Sequence, residues 1–126
     1  MLNKLISCSG FRQVTRRCFT TNGLVLDKKQ FVVVVKDYED SECLQRRLEI
    51  REKHLSKAHD AKDNGTLLAG GAILDDHASG KMKGSVLLVS AGSPEEVETM
   101  IKSDPYYKAK VWESWRIHPI KLAIGF

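Results

Sequence analysis

The chain has 126 residues, which is enough for one domain and a short appendage. With 42% hydrophobic and 29% charged residues its make-up is that of a globular protein, which excludes collagen-like, low-complexity and wholly disordered classes. Its 20 Lys and Arg against 16 Asp and Glu give a net charge of +4 and a pI near 9.0. That excess is not spread evenly. Residues 1–19 hold Lys4, Arg12, Arg16 and Arg17 and no acidic residue, so the other 107 positions carry 16 charges of each sign. A neutral body exerts no general pull on a polyanion, and no nucleic-acid partner is expected.

The basic stretch is rich in Ser, Thr and Arg, and Leu2, Leu5, Ile6 and Phe11 would give a short helix there an apolar side. Those are the marks of a mitochondrial transit peptide. A cationic amphipathic helix is drawn by a potential negative inside, and its apolar side fits a receptor groove. Arg17-Cys18-Phe19 ahead of Thr20-Thr21 is similar to a matrix-protease site, which places the cut after Phe19 and leaves 20–29 as a flexible segment before a domain at 30–126. A matrix location follows as the expectation. No run approaches the roughly 20 apolar residues that a membrane-spanning helix needs, so no membrane association is expected after import. With Cys8 and Cys18 in the leader, Cys43 stands alone in the body and no internal disulfide is expected.

In the body, Phe31-Val32-Val33-Val34-Val35 is a β-branched run that predicts a strand buried on both faces. Asp40 or Ser41 can cap a helix over about 42–62, which Asn64-Gly65 stops. Leu44, Leu48, Arg51, Leu55 and Ala58 share one stripe of that helix, which is therefore expected to pack against the core. A second strand is predicted over 66–73, where Gly70-Gly71 marks a bulge or a close backbone approach. A polar connection over 75–83 and a third strand over 85–89 complete a long-looped hairpin. Ser93-Pro94-Glu95-Glu96 is a full helix start, with a capping Ser, Pro at the first helical position and Glu at the third. That helix runs to about Ser103, and 111–120 alternates as a fourth strand closed by Pro119.

The order β-α-β-β-α-β is the ferredoxin-like split pattern of an α+β fold, with both helices on one side of a four-stranded antiparallel sheet. Strands one and three are apolar at every position, so the other side also requires cover. A symmetric copy is the simplest cover, and a homodimer packed sheet on sheet is expected.

Two places can carry chemistry. Arg47, Arg51 and His54 fall on one strip at the border of the helix stripe, where an imidazole could move protons and guanidinium groups could hold a carboxylate or enolate. Equally, the arginines could pair with Asp or Glu and His54 could be a packed border residue. Asp104 lies before Pro105, which disfavours helical backbone and sets the carboxylate at a fixed turn; there it could serve a site or only shape the turn. No metal site is expected. Asp75-Asp76-His77 lacks a partner group, and His54 and His59 would point about 140° apart on a helix. Cys43 has no neighbouring His to activate it. Trp112 and Trp115 on an alternating strand should point to opposite faces.

Taken in order, Arg47, Arg51-x-x-His54-Leu55, Gly65-Thr66-Leu67-Leu68 with Gly70, Gly84-Ser85, Ser93-x-Glu95-Glu96, Asp104-Pro105-Tyr106, Val111-x-Glu113 and Pro119 resemble the YCII-related family, over about residues 30–121. The resemblance implies a dimeric α+β barrel. It also implies a His and Asp acid-base pair in a pocket, which falls on His54 and Asp104, with Arg51 and Ser85 lining it. Arg47, Gly70 and Tyr106, from the same matching strings, complete the candidate substrate-binding set. One branch of that family acts as a dehydrochlorinase on chlorinated hydroxyquinones. Where relatives often read Ala-Gly-Pro, this chain has Ala69-Gly70-Gly71. The function expected is therefore cofactor-independent proton transfer on a small molecule, of lyase, isomerase or hydrolase type. The alternative is a non-catalytic binding or dimeric assembly module.

Overall fold

A computed structural model describes residues 28–125, so the expected leader and its cleavage site lie outside the described residues. Seven elements follow in order: β1 (Lys29–Asp37), α1 (Cys43–Asp63), β2 (Leu67–Leu74), β3 (Met82–Ala91), α2 (Pro94–Lys102), α3 (Pro105–Lys108) and β4 (Trp112–Ile120). The strands form one sheet in the order β2-β3-β1-β4, with every neighbouring pair antiparallel. This is the expected ferredoxin-like α+β fold. β1 already begins within the segment taken from sequence as flexible, and β3 begins earlier than expected, at Met82.

Period-two alternation sends Phe31, Val33, Val35 and Asp37 of β1 into the core, beside Leu87, Val89 and Ala91 of β3 and Val97 and Ile101 of α2. The other side of the sheet carries Val32, Val34, Val86 and Leu88, so the apolar character of β1 and β3 at every position has one face in this core and one outside it. Val34 is 41% exposed.

Local signals explain most element ends. Ser93 Oγ accepts from the Glu96 N–H at 3.2 Å, while Glu96 reaches back to the Gly92 N–H at 3.1 Å, a shifted version of the capping box. Gly65, with φ of 86°, closes α1 in a conformation that a side chain disfavours. The start of α1 differs in detail from expectation. Its cap position is Glu42, and Asp40 acts one turn earlier by accepting from the Glu42 N–H at 3.0 Å.

Asp40 also receives both terminal nitrogens of Arg46, at 2.8 and 2.9 Å, and Arg46 in turn donates to the Lys110 carbonyl oxygen. Hydrogen bonding to Arg46 holds the Asp40 carboxyl down at about 2, from an ordinary 3.8. A carboxyl lowered in this way stabilises the fold above its ordinary value, and that contribution disappears as pH falls toward about 2. Titration of Asp40 by NMR should give this low value, and Arg46→Ala should return it toward 3.8.

Three expectations change. The apolar stripe of α1 is not the side that faces the sheet: Leu48 is 51% exposed and Arg51 is exposed, whereas Cys43 and Arg47 are buried and Ile50 packs against the core. The inward line Cys43, Arg47, Ile50, His54, buried at its first two members and half-buried at the others, has the same helical spacing but polar members, which hid it. The close backbone approach is at Gly84, not at the Gly70-Gly71 pair. A Cβ at Gly84 would collide with the Val35 carbonyl oxygen, while Gly71 has open space around it and a Cβ at Gly70 would meet the Val86 carbonyl oxygen only at an ordinary contact distance of 3.5 Å, its tighter neighbour being the Leu87 side chain at 3.1 Å. Finally, the register shifts between Lys36 and Asp37, so Trp115 pairs with Val35 and Trp112 with Asp37. Val35 and Asp37 both face the core, and the bulge therefore brings both tryptophans to that side.

Candidate active site

His54 lies on the inward line of α1, and Asp104 caps the short α3. The Asp104 backbone is extended, at φ −77° and ψ 142°, as the following proline requires. Its Oδ1 accepts from the Tyr106 N–H at 2.8 Å, which aims the carboxylate back at α1. There the same Oδ1 meets His54 Nδ1 at 2.8 Å, with each side chain 13% exposed. A carboxylate oxygen accepts, so Nδ1 carries the proton and Nε2 is the bare nitrogen of the neutral ring. Nε2 has no hydrogen-bond partner among the described residues, yet it is not among the buried polar atoms left unpaired. It belongs to a side chain that keeps 13% of its surface exposed. Asp104 thus shapes the turn and engages His54 with the same oxygen.

Aromatic rings hold the imidazole from two sides. Tyr106 stacks on it at 3.8 Å between centroids with planes 15° apart, and Trp112 meets it edge-on at 5.6 Å and 81°. Burial pushes the Tyr106 phenol up, against the opposing charges of Arg47 and Arg51, so it is a neutral donor at physiological pH.

Arg47 takes the pairing alternative raised from sequence. It is 3% exposed, and its Nη1 donates to Asp37 Oδ2 at 2.7 Å while its Nη2 donates to Ser85 Oγ at 3.0 Å and to the Gly84 carbonyl oxygen at 3.2 Å. Ser85 Oγ also accepts from Trp112 Nε1 at 3.2 Å. Burial raises the Asp37 carboxyl, with Arg47 opposing that shift. The structure thus gathers His54, Asp104, Tyr106, Arg47 and Ser85 into one array, but Arg47 and Ser85 stand behind the pair, with the terminal guanidinium nitrogens and the hydroxyl engaged by protein atoms. Arg51 is exposed, and its charge reaches the Tyr106 phenol. Gly70 sits on the edge strand β2 against Leu87 and Leu67, apart from this array.

Sequence reasoning did not single out Asp37. Its signal was present in the alternation, since Phe31, Val33 and Val35 put the second residue beyond them on the buried face. Trp112 was assigned only to one face or the other. Cys43 donates weakly to the Val111 carbonyl oxygen at 3.6 Å and its thiol is pushed up by burial, the reverse of an activated nucleophile. Among the described residues, no three His, Cys, Asp or Glu side chains are grouped to hold a metal, and no helix is long and apolar enough to cross a membrane. A groove of about 910 Å³ runs past Lys36, Ile73, Gly84 and Arg116 at one end of the sheet, and neither His54 nor Asp104 lines it.

The chain is similar in sequence and in structure to known proteins. The chain is 39% identical over 80 residues to the derivative of benzaldehyde biosynthesis cluster protein C of Emericella nidulans, covering 60% of this chain and 82% of that one. It is 30% identical over 95 residues to protein YciI of Escherichia coli, covering 72% and 95%. Among solved structures it is similar to the 5-chloro-2-hydroxyhydroquinone dehydrochlorinase TftG of Burkholderia phenoliruptrix in complex with 2,5-dihydroxybenzoquinone. There the TM-score is 0.64 at 27% identity, over 73% of this chain and 93% of that one. The model of the YCII-related domain matches residues 30–121, and the chain belongs to the YCII-related family.

Proposed function

We propose that this protein is an enzyme that moves a proton on a small phenolic, quinonoid or carboxylated molecule, with His54 as the acid-base group and Asp104 as its orienting carboxylate. The observation that carries this reading is the 2.8 Å contact between His54 Nδ1 and Asp104 Oδ1, with Nε2 taking no hydrogen bond from the described residues. In the resting state bare Nε2 takes a proton from the ligand. The imidazolium then has Nδ1–H on an anionic acceptor, which stabilises its charge, and Nε2–H returns the proton to the product or to solvent. Arg51, exposed one helical turn from His54, supplies a cation for the negative charge left on the ligand. No step requires a cofactor. A relative placed by name in a biosynthesis cluster and a structural neighbour that holds a dihydroxybenzoquinone support the ligand class.

The same reading includes a homodimer and a mitochondrial address. The apolar strip Val32, Val34, Val86 and Leu88, with Val34 41% exposed, supports a second copy as its cover, and sedimentation of the mature protein at micromolar concentration should give twice the chain mass. The acid-free basic leader supports import to the matrix with removal after Phe19. Mass spectrometry of the N-terminus from isolated mitochondria should find no Met1. The function itself is tested by a thermal-shift screen of hydroxyquinones, phenols and small carboxylic acids, followed by binding and turnover with His54→Ala and Asp104→Asn. Loss of both in the variants is expected, whereas unchanged binding would overturn the site. Binding without turnover of any bound compound would favour the non-catalytic module.

A further inference from the structure

The buried Asp37 and Arg47 pair takes no part in the proton transfer, yet it reaches the imidazole through one ring. Arg47 precedes His54 by seven residues, two helical turns or about 10 Å along the α1 axis. The Tyr106 ring fills that gap. Its centroid is 3.8 Å from the imidazole centroid, nearly parallel to it, and 4.7 Å from Arg47 Cζ. An imidazole stacked that closely occupies one face of the phenol ring, so the guanidinium lies on the other. Tyr106 is clamped between two side chains of the same helix.

Each part of the clamp is itself fixed. Asp37, Ser85 and the Gly84 carbonyl oxygen hold the guanidinium fork. The Tyr106 N–H donates to the same Asp104 oxygen that His54 engages, so Tyr106 touches both members of the acid-base pair, one with its ring and one with its backbone. The arrangement is not the best one for folding alone, because Arg47 Nε and Asp37 Oδ1 are buried without partners among the described residues. A guanidinium carbon held over the Tyr106 ring, 4.7 Å from its centre, is what the geometry secures in return.

We propose that Arg47 is a positioning residue for His54, acting through Tyr106 to keep Nδ1–H on Asp104 and Nε2 outward. This rests on His54 and Asp104 being the acid-base pair. Exchange of the His54 Nδ1 proton with solvent, and the ring tautomer read from 15N shifts, report the role without any substrate. Arg47→Lys keeps a cation beside Asp37 but loses the planar fork and its face. Exchange should rise about tenfold, with the Nδ1–H tautomer no longer dominant. Tyr106→Phe keeps the stack and should stay within about twofold of the native protein, whereas Tyr106→Leu should match Arg47→Lys. The leucine variant leaves the ion pair intact and answers the question if the lysine variant does not fold. Ile50→Val, on the same helix, costs packing without touching the stack and should leave exchange as it was.

Native exchange in both Arg47→Lys and Tyr106→Leu would overturn the proposal, as would an equal rise in Ile50→Val. The acid-base reading fails separately: if His54→Ala binds ligand as the native protein does while Arg47→Lys still frees Nδ1–H, the positioning role stands and the proposed chemistry does not.

Discussion

His54→Ala is expected to lower kcat on a turned-over ligand by about 10²- to 10⁴-fold, the range that a positioned acid-base group supplies. The fold should survive, because His54 is a partly exposed border residue whose removal leaves Asp104 still accepting the Tyr106 N–H. Asp104→Asn tests the partner. The amide oxygen can still accept from Tyr106 and so keep the cap of α3, but an uncharged amide no longer stabilises the imidazolium. A loss of about 10²-fold or more in kcat at nearly unchanged melting temperature is the expected signature. Steady-state kinetics beside thermal melts of the same samples would check both variants.

The second large effect is on stability. Arg47→Met should cost about 3–5 kcal/mol in denaturant unfolding, because it leaves the Asp37 carboxylate buried and unpaired. Replacing both, as Asp37→Leu with Arg47→Met, should recover much of that loss, since an apolar pair of similar volume carries no desolvation cost. The variant should also reverse the usual response to acid. Burial raises the Asp37 carboxyl above its ordinary 3.8, so the folded state takes up a proton first. Stability from this group is then greatest below 3.8 and is lost as pH rises through the folded value. Arg47→Met should therefore be weakest at neutral pH and regain stability on acidification, opposite in sign to the contribution of Asp40. Unfolding curves between pH 4 and 8, at roughly unit intervals, would show the slope.

The parts of the fold that were legible in sequence are those written in local chemistry. Phe31 to Val35 can hardly be anything but a strand, Ser93-Pro94-Glu95-Glu96 spells a helix start, and Asn64-Gly65 marks a helix stop because Gly65 adopts the positive φ that the stop needs. What failed was orientation. The leucines of α1 make a clean stripe, but the side turned to the sheet carries Cys43, Arg47, Ile50 and His54, and a scale that rewards apolar residues cannot find a face whose arginine and histidine are held by Asp37, Ser85 and Asp104. The tryptophan faces were misjudged for a related reason. A single bulge opposite Lys36 and Asp37 shifts register, and nothing in the alternation of β4 announces it.

The site was legible in a different way. His54 and Asp104 lie 50 residues apart and meet because α3 is capped by Asp104 beside the inward line of α1. Spacing named both residues as candidates but could not join them; the family resemblance did. Arg47, Ser85 and Tyr106 were also named, but as ligand contacts. At 3, 3 and 2% exposure they present little surface to the outside in this structure.

The most direct measurement of the central claim is a titration of 15N-histidine-labelled mature protein with 2,5-dihydroxybenzoquinone and with the strongest compound from the thermal-shift screen. Saturable movement of the His54 Nε2 resonance is expected, with binding lost in His54→Ala and weakened in Asp104→Asn. Saturable binding that leaves His54 unmoved, at equal strength in both variants, would contradict it and place the ligand elsewhere on the fold.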